Sequence, residues 1–171
     1  MNGKKLFDQG LEEASKSYVI LENILIIATI IVGFLGMYPL GFAGIPIVSI
    51  LYALFLFIML GFTLRKHLCS ACYYYGKYCH CGWGKLAASV CKKDSGNYAL
   101  GGKLALLTWG ILMGLPIIGM ILVMILGQAS LAEEMIYFIP FIILVIINGI
   151  MHKKDCTECK MRFVCPGSAA K

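Results

Sequence analysis

Eight cysteines are the residues of this sequence best suited to do chemistry, and all of them lie between Cys69 and Cys165. The first group has the pattern C-x2-C-x6-C, and the second has C-x2-C-x5-C. C-x2-C spacing lets two thiolates converge on one metal ion while the backbone amides between them donate hydrogen bonds to the sulfurs. Because the pattern occurs twice, each time just after a long apolar run, it predicts a metal–thiolate site. The predicted ligands are Cys69, Cys72, Cys79, Cys81, Cys156, Cys159 and Cys165, with Cys91 and His80 as additional candidates.

Two kinds of metal centre are compatible with these spacings. Structural zinc is usually held by two pairs of ligands, which Cys69, Cys72, Cys156 and Cys159 would supply. Iron–sulfur sites often use three close cysteines and a fourth from elsewhere, and a Cys-Pro pair ends some of these runs, as Pro166 does here. The ferredoxin spacing C-x2-C-x2-C is absent from the sequence. The cysteine triples favour an iron–sulfur cluster as the cofactor, and zinc is the alternative.

The three histidines do not favour a haem. Axial histidines in helical bundles usually come from within the spans, whereas His67, His80 and His152 lie outside the long apolar runs. We interpret His67 and His152 as polar residues at helix C-termini, where positive charge is favourable. Cys91 lies in a short amphipathic segment, 85–93, which is predicted to lie on the membrane surface. A cysteine there is more typical of a small buried apolar residue than of a ligand.

The elements that must position these thiols are membrane helices. The chain has 171 residues, of which 60% are apolar and only 14% charged, and its mean hydropathy is +0.83. This composition excludes a disordered protein, a nucleic-acid-binding domain and an ordinary soluble enzyme. The uncharged runs are long enough for about 20 residues per crossing and contain one Pro- and Gly-rich turn near Pro39 and Gly44. They predict an all-α integral membrane protein with four helices, at 18–38, 45–64, 104–126 and 135–151.

Basic residues predict the orientation. All 15 Lys and Arg lie before the first helix, between the second and third, or after the fourth. By the positive-inside rule, both termini and the middle segment are cytoplasmic and the protein is a multi-pass protein of the cell membrane. The net charge of +6 is therefore a topology signal rather than a nucleic-acid signal. Every cysteine then lies on the reducing side, where disulfides are rare.

The sequence also predicts an internal repeat. Two tandem helical hairpins are each followed by basic residues, a histidine and a cysteine group. The predicted organisation is a cytoplasmic amphipathic segment (1–17), hairpin one (18–64), a Cys-rich segment (65–103), hairpin two (104–151) and a Cys-rich tail (152–171). Both cysteine groups should emerge on one face as a cytoplasmic cap. In a four-helix bundle the ends of the second and fourth helices can be packed neighbours, about 10 Å apart, so that the two cysteine groups share a site or lie side by side.

Three further patterns carry structural interpretations. The aromatic run from Tyr73 to Tyr75 is typical of an interfacial aromatic belt, and the alternative is a packed shell that shields a metal cluster from water. The spacing of Gly110 and Gly114 is typical of close helix packing, while Gly33 and Gly36 are only a looser variant of it. Glu22 is the one ionisable residue inside a predicted span, and it lies near the cytoplasmic end. The spans therefore resemble a scaffold more than a transport pathway.

These observations favour electron transfer between an acidic soluble partner and the membrane, with the chain as a redox subunit. The alternative is a zinc-stabilised scaffold or accessory subunit without catalysis. A quinone-linked thiol–disulfide enzyme is opposed by the topology, and a metal transporter by the lack of ligands within the spans. No hydrolytic motif is present, so we expect no enzyme activity of the chain on its own. The expected partners are the lipid bilayer and possible subunits of a larger complex, including further copies of the chain, and not nucleic acid.

Overall fold

A computed structural model describes residues 6–170, and within them the regular structure is helical. The helices are α1 (Lys16–Gly36), α2 (Ile47–Ile58), α3 (Leu64–His67), α4 (Trp83–Val90), α5 (Tyr98–Ile125) and α6 (Leu131–Glu158). A π-helical turn, Met59–Thr63, joins α2 to α3, and a 3-10 turn, Cys69–Ala71, follows α3. Four continuous helical stretches are long and apolar enough to cross a membrane: Lys16–Gly36, Ile47–Ala71, Tyr98–Ile125 and Leu131–Glu158. The prediction of an all-α protein with four such helices is confirmed.

Helix ends differ from the predicted ones because charge marks the edge of an apolar run and not the end of a helix. The predicted fourth helix stopped at Met151, but α6 continues to Glu158. At the other end, the side chains of Ser130 and Glu133 each accept a hydrogen bond from the other's backbone amide, which forms a capping box. Glu133 and Glu134 therefore lie inside the first turn of α6. The predicted third helix began at residue 104, whereas α5 begins at Tyr98, after the capping side chain of Asn97.

The two terminal spans form the most extensive helix pair. Contacts between α1 and α6 outnumber those of any other pair of helices. The buried residues of α1 recur every three or four positions, which is the period of a packed helix face. On α6, the buried residues include Phe141, Asn148 and Asp155, which are seven apart. The Asn148 side-chain nitrogen donates a buried hydrogen bond of 3.0 Å to the Thr29 hydroxyl of α1.

The arrangement of the four spans places α1 and α5 in the middle. Each of these helices contacts the other, and both contact α2 and α6. Between α2 and α6 there is no comparable contact in residues 6–170. The arrangement in which the ends of the second and fourth spans are packed neighbours is therefore not the one adopted, because α1 and α5 separate them.

Small residues allow α1 and α5 to approach closely, at the looser pair Gly33 and Gly36 rather than at Gly110 and Gly114. A Cβ added at Gly33 would lie 2.9 Å from a ring carbon of Pro116, and one at Gly119 would lie 2.6 Å from the Met37 side chain. A Cβ at Gly110 or Gly114 would have no neighbour within 4 Å among the described residues. The interpretation of that pair as a packing motif is wrong for this bundle, since both glycines lie on a face of α5 without a described partner.

Candidate functional site

Three segments fold together into a cap at one end of the bundle: residues 6–15, residues 69–97 and residues 159–170. The amide of Phe7 donates to the Lys160 carbonyl over 2.9 Å, and the amide of Ala14 donates to the Tyr78 carbonyl over 2.8 Å. The predicted N-terminal segment is thus part of the cap, although its residues 1–5 lie outside the described chain. The cap contains seven of the eight cysteines. The remaining one, Cys156, lies in the last turns of α6, three residues before the cap.

Tyr74 joins the three segments. Its side chain is only 2% exposed. The hydroxyl donates to the Leu11 carbonyl over 2.6 Å and accepts from the Lys160 amide over 3.1 Å. The interpretation of the tyrosine run as an interfacial belt is therefore wrong for this residue, which belongs to the interior of the cap.

An exposed ionic cluster covers the same junction. Glu12 accepts a hydrogen bond from the Tyr73 hydroxyl and forms ion pairs with Lys160 at 2.9 Å and Lys77 at 3.4 Å. These hydrogen bonds, that from Tyr73 first, lower the pKa of Glu12 to about 2. Because the carboxylate is exposed, solvent screens these pairs and their contribution to stability is small.

Cys72 is coupled to thiols from both halves of the chain. Its pKa is raised to about 12, mainly by burial; a backbone hydrogen bond from Tyr74 opposes this shift, and the charges of Cys79, Cys159 and Cys165 add to it. Cys69 is electrostatically coupled to Cys72 and Cys79 in turn. Sulfurs from both halves of the chain are thus electrostatically coupled to Cys72, and this set is here called the central thiols: Cys69, Cys72, Cys79, Cys159 and Cys165.

Backbone amides point at three of these sulfurs. Cys72 accepts from the amide of Tyr74, and Cys159 accepts from the amide of Met161 over 3.4 Å, in each case two residues further along the chain. Cys79 accepts from the amides of Gly84, Trp83 and Cys81. Burial nevertheless raises the pKa of Cys79, and it raises that of Cys159 to about 11. These three thiols are therefore protonated at neutral pH. The amide groups around them are nevertheless hydrogen-bond donors of the kind that stabilises a thiolate.

The remaining predicted ligands are directed elsewhere. The Cys81 thiol donates to a Glu22 carboxylate oxygen over 3.2 Å, and its pKa is raised well above the usual value by burial and by that carboxylate. The Cys156 sulfur lies 3.7 Å from Nε2 of His152. Cys91 has intermediate exposure and is electrostatically coupled to Cys69 at the edge of the cluster.

His80 belongs to a buried polar cluster between the cap and the bundle. Its Nδ1 lies 3.2 Å from Asp155, which also accepts a hydrogen bond of 2.6 Å from the Tyr18 hydroxyl. Burial lowers the pKa of His80, but the hydrogen bond and charge of Asp155 outweigh burial and raise it overall. Glu22 and Asp155 are 6% and 5% exposed, and each has one carboxylate oxygen without a hydrogen-bond donor among the described residues.

Sequence reasoning missed Asp155 and assigned Glu22 no partner. The signal available was the seven-residue recurrence of polar and aromatic residues along the last span, which includes Asn148 and Asp155. That recurrence marks a buried face even where the residues themselves are polar. It does not reveal which helix this face contacts.

The cluster has the chemistry of a soft-metal site without its closed geometry. In residues 6–170, which contain all eight cysteines, no disulfide joins any of them. The same residues contain no group of three or more Cys, His, Asp or Glu side chains converging as metal ligands do. Thiol donors suit zinc and iron–sulfur centres, and metal binding to thiols releases their protons. A metal would therefore have to draw the central thiols together as it deprotonates them.

Comparison with known proteins adds no relative. The sequence matches no family model, and no curated protein or solved structure is significantly similar to it.

Proposed function

We propose that the chain is a membrane-anchored metal–thiolate protein that carries an iron–sulfur cluster and transfers electrons at the cytoplasmic face of the cell membrane. The observation that carries the proposal is the hydrogen bond of 3.1 Å from the Lys160 amide to the Tyr74 hydroxyl, which joins the segments that carry the two cysteine groups. The electrostatic coupling of Cys159 and Cys165 to Cys72 supports it. The proposed ligands are Cys72, Cys79, Cys159 and Cys165, with Cys69 as the alternative fourth. Four cysteine thiolates are the ligand set of the common iron–sulfur clusters.

The electrostatics of the cluster support a bound cation. Burial and mutual repulsion oppose ionisation of the thiols, so several adjacent thiolates require a compensating positive charge. The amides aimed at Cys72, Cys79 and Cys159 would stabilise thiolate sulfur once the metal is present. Such hydrogen bonds also tune the reduction potential of a cluster.

The charge distribution supports a redox partner of opposite sign. The net charge is +6, and the basic residues lie in the segments that form or flank the cap. An acidic soluble protein would be attracted to this surface, which favours electron delivery to the membrane. The cytoplasmic orientation rests on the positive-inside rule. A reporter enzyme that is active only outside the cell tests it: fused after Phe42, in the connection between α1 and α2, it should be active.

A zinc-stabilised scaffold is the second candidate. The observation in its favour is that the central thiols come from the middle segment and the tail, which Tyr74 already ties to residues 6–15. Zinc at this position would cross-link those two segments without any redox role.

Anaerobic purification followed by metal and sulfide analysis tests both candidates. Iron with acid-labile sulfide and broad visible absorption would support electron transfer, while a colourless protein with stoichiometric zinc would support the scaffold. Cys72→Ser should lose the metal, and the matched control Cys91→Ser should keep it, because Cys91 lies at the edge of the cluster. Absence of any metal from the wild-type protein, or equal loss in both variants, would overturn the proposal.

A further inference from the structure

A groove of about 470 Å³ opens beside the bundle where the second span approaches the cap. Its walls come from α1, α2, the π-helical turn and α4, and include Ile30, Phe57, Phe62 and Val90. Of the described residues that line it, Arg65 alone is charged. The volume is within the range of sites that hold small molecules.

The π-helical turn shapes this groove. It interrupts α2 at Met59–Thr63, and the Thr63 hydroxyl donates to the Ile58 carbonyl over 3.3 Å. Such turns are frequent at functional sites. Gly61 leaves the middle of the turn open, with nothing within 4 Å of where its Cβ would lie. Phe57 and Phe62 pack edge to face at 5.7 Å, and both remain more than half exposed.

Arg65 forms no ion pair and no hydrogen bond with any of the described residues, and its Nε is buried without an acceptor. Its charge acts on the Cys69 sulfur, which is protonated and does not neutralise it. No acidic residue is among the described residues that line the groove. A guanidinium partly withdrawn from water and left unpaired is costly, and it binds phosphate oxygens well. The side chain thus provides a cationic end to an otherwise apolar groove.

We propose that this groove binds an anionic phospholipid, with its phosphate at Arg65 and an acyl chain against Phe57 and Phe62. Charge complementarity selects this occupant, because an uncharged quinone would leave the guanidinium unneutralised. Position supports it too, since the groove lies where the apolar span meets the basic segment, the level of lipid head groups. Basic pockets between membrane helices bind anionic head groups in this way, and the cytoplasmic leaflet is rich in such lipids. The lipid proposal does not require the metal centre, although Arg65 also acts electrostatically on Cys69.

Native mass spectrometry of the delipidated full chain, titrated with phosphatidylglycerol or phosphatidylcholine, tests the proposal. The wild-type protein should retain phosphatidylglycerol about five to ten times better. Arg65→Gln should remove that preference, and Arg65→Lys should keep part of it. Lys66→Gln is the matched control, because it removes one charge from a neighbouring exposed residue that does not line the groove, and it should keep the preference.

A second variant leaves the charge in place and fills the groove. Gly61→Leu puts a side chain into the open turn and should reduce phosphatidylglycerol retention without changing Arg65. If Lys66→Gln and Arg65→Gln lose the preference equally, the effect belongs to the general surface charge and the proposal fails. It also fails if the wild-type protein shows no preference, if Gly61→Leu retains the lipid fully, or if a quinone displaces the phospholipid.

Discussion

Gly84 is the second residue of α4, and its lack of a side chain lets that helix lie directly on the loop that follows the first cysteine pair. A Cβ at this position would lie 2.1 Å from the Tyr74 carbonyl oxygen and 2.9 Å from the Lys77 carbonyl oxygen. The Gly84 amide also donates to the Cys79 sulfur. We therefore expect Gly84→Ala to push α4 away from the loop and to disturb the cluster as well as the fold of the cap.

The size of the effect follows from these distances. An ordinary contact begins at 3.4 Å, so the helix and the Tyr74 carbonyl must separate by about 1.3 Å. Overpacking of this kind costs about 1–3 kcal/mol, and the cost is at the upper end here because backbone atoms have to move. The higher helix propensity of alanine offsets at most about 1 kcal/mol of this cost. A net loss of about 2 kcal/mol corresponds to a fall in Tm of about 4–8 °C for a chain of this length.

Thermal unfolding in detergent, followed by the reaction of newly exposed cysteines with a thiol-specific dye, measures this change. Gly167→Ala is the matched control within the cap, because a Cβ there meets nothing within 4 Å, and its Tm should stay close to that of the wild-type protein. If Gly84→Ala and Gly167→Ala unfold within about 1 °C of each other, the close approach of α4 to the loop is not a constraint and this reasoning is refuted.

Two further predictions concern the bundle and the thiols. Asn148→Leu removes the buried hydrogen bond between α6 and α1 and should lower the free energy of unfolding by about 1 kcal/mol, measured by reversible unfolding in mixed micelles; unchanged or higher stability would contradict it. In the metal-free protein, the folded-state pKa values of Cys72 and Cys159 are about 12 and about 11, whereas an ordinary thiol ionises near 9. Between pH 9 and 11 the unfolded chain therefore loses these protons first, so stability should fall as the pH rises and should be flat below about pH 8. Measurements of Tm between pH 8 and 11 should show this fall. A smaller fall for Cys159→Ala would attribute part of it to Cys159, and a rise in Tm with pH would refute the prediction.

The spans could be predicted from the sequence because apolar length is a local property. Runs without charge mark hydrocarbon-sized segments wherever they occur, and four such helices are present. Their ends could not be read from the same signal. His152, Lys153 and Lys154 end the apolar run, but nothing in them stops a helix, so α6 continues and brings Asp155 and Cys156 into the cap.

The repeated hairpin pattern predicts that the cysteine groups lie on one side of the bundle, but it does not predict the contacts that position them. Glu22 approaches Cys81, and Asp155 approaches His80, through long-range packing that no spacing in the sequence records. The glycines show the same limit. The spacing of Gly110 and Gly114 has the form of a packing motif, yet only the packing of the helices decides whether a glycine is used. Here α5 contacts α1 through Pro116, which lies against Gly33, and not through Gly110 or Gly114.

The pairing of α1 with α6 also has a consequence for biogenesis. The chain is synthesised from its N-terminus, so α1 reaches the membrane well before its main partner has been made. During that interval the polar groups of its inner face have only lipid, water at the bilayer surface or the insertion machinery as surroundings. The pair is completed only when α6, the fourth of the described spans, has been translated. An arrest of translation before that point should leave α1 inserted without its main partner and more readily degraded.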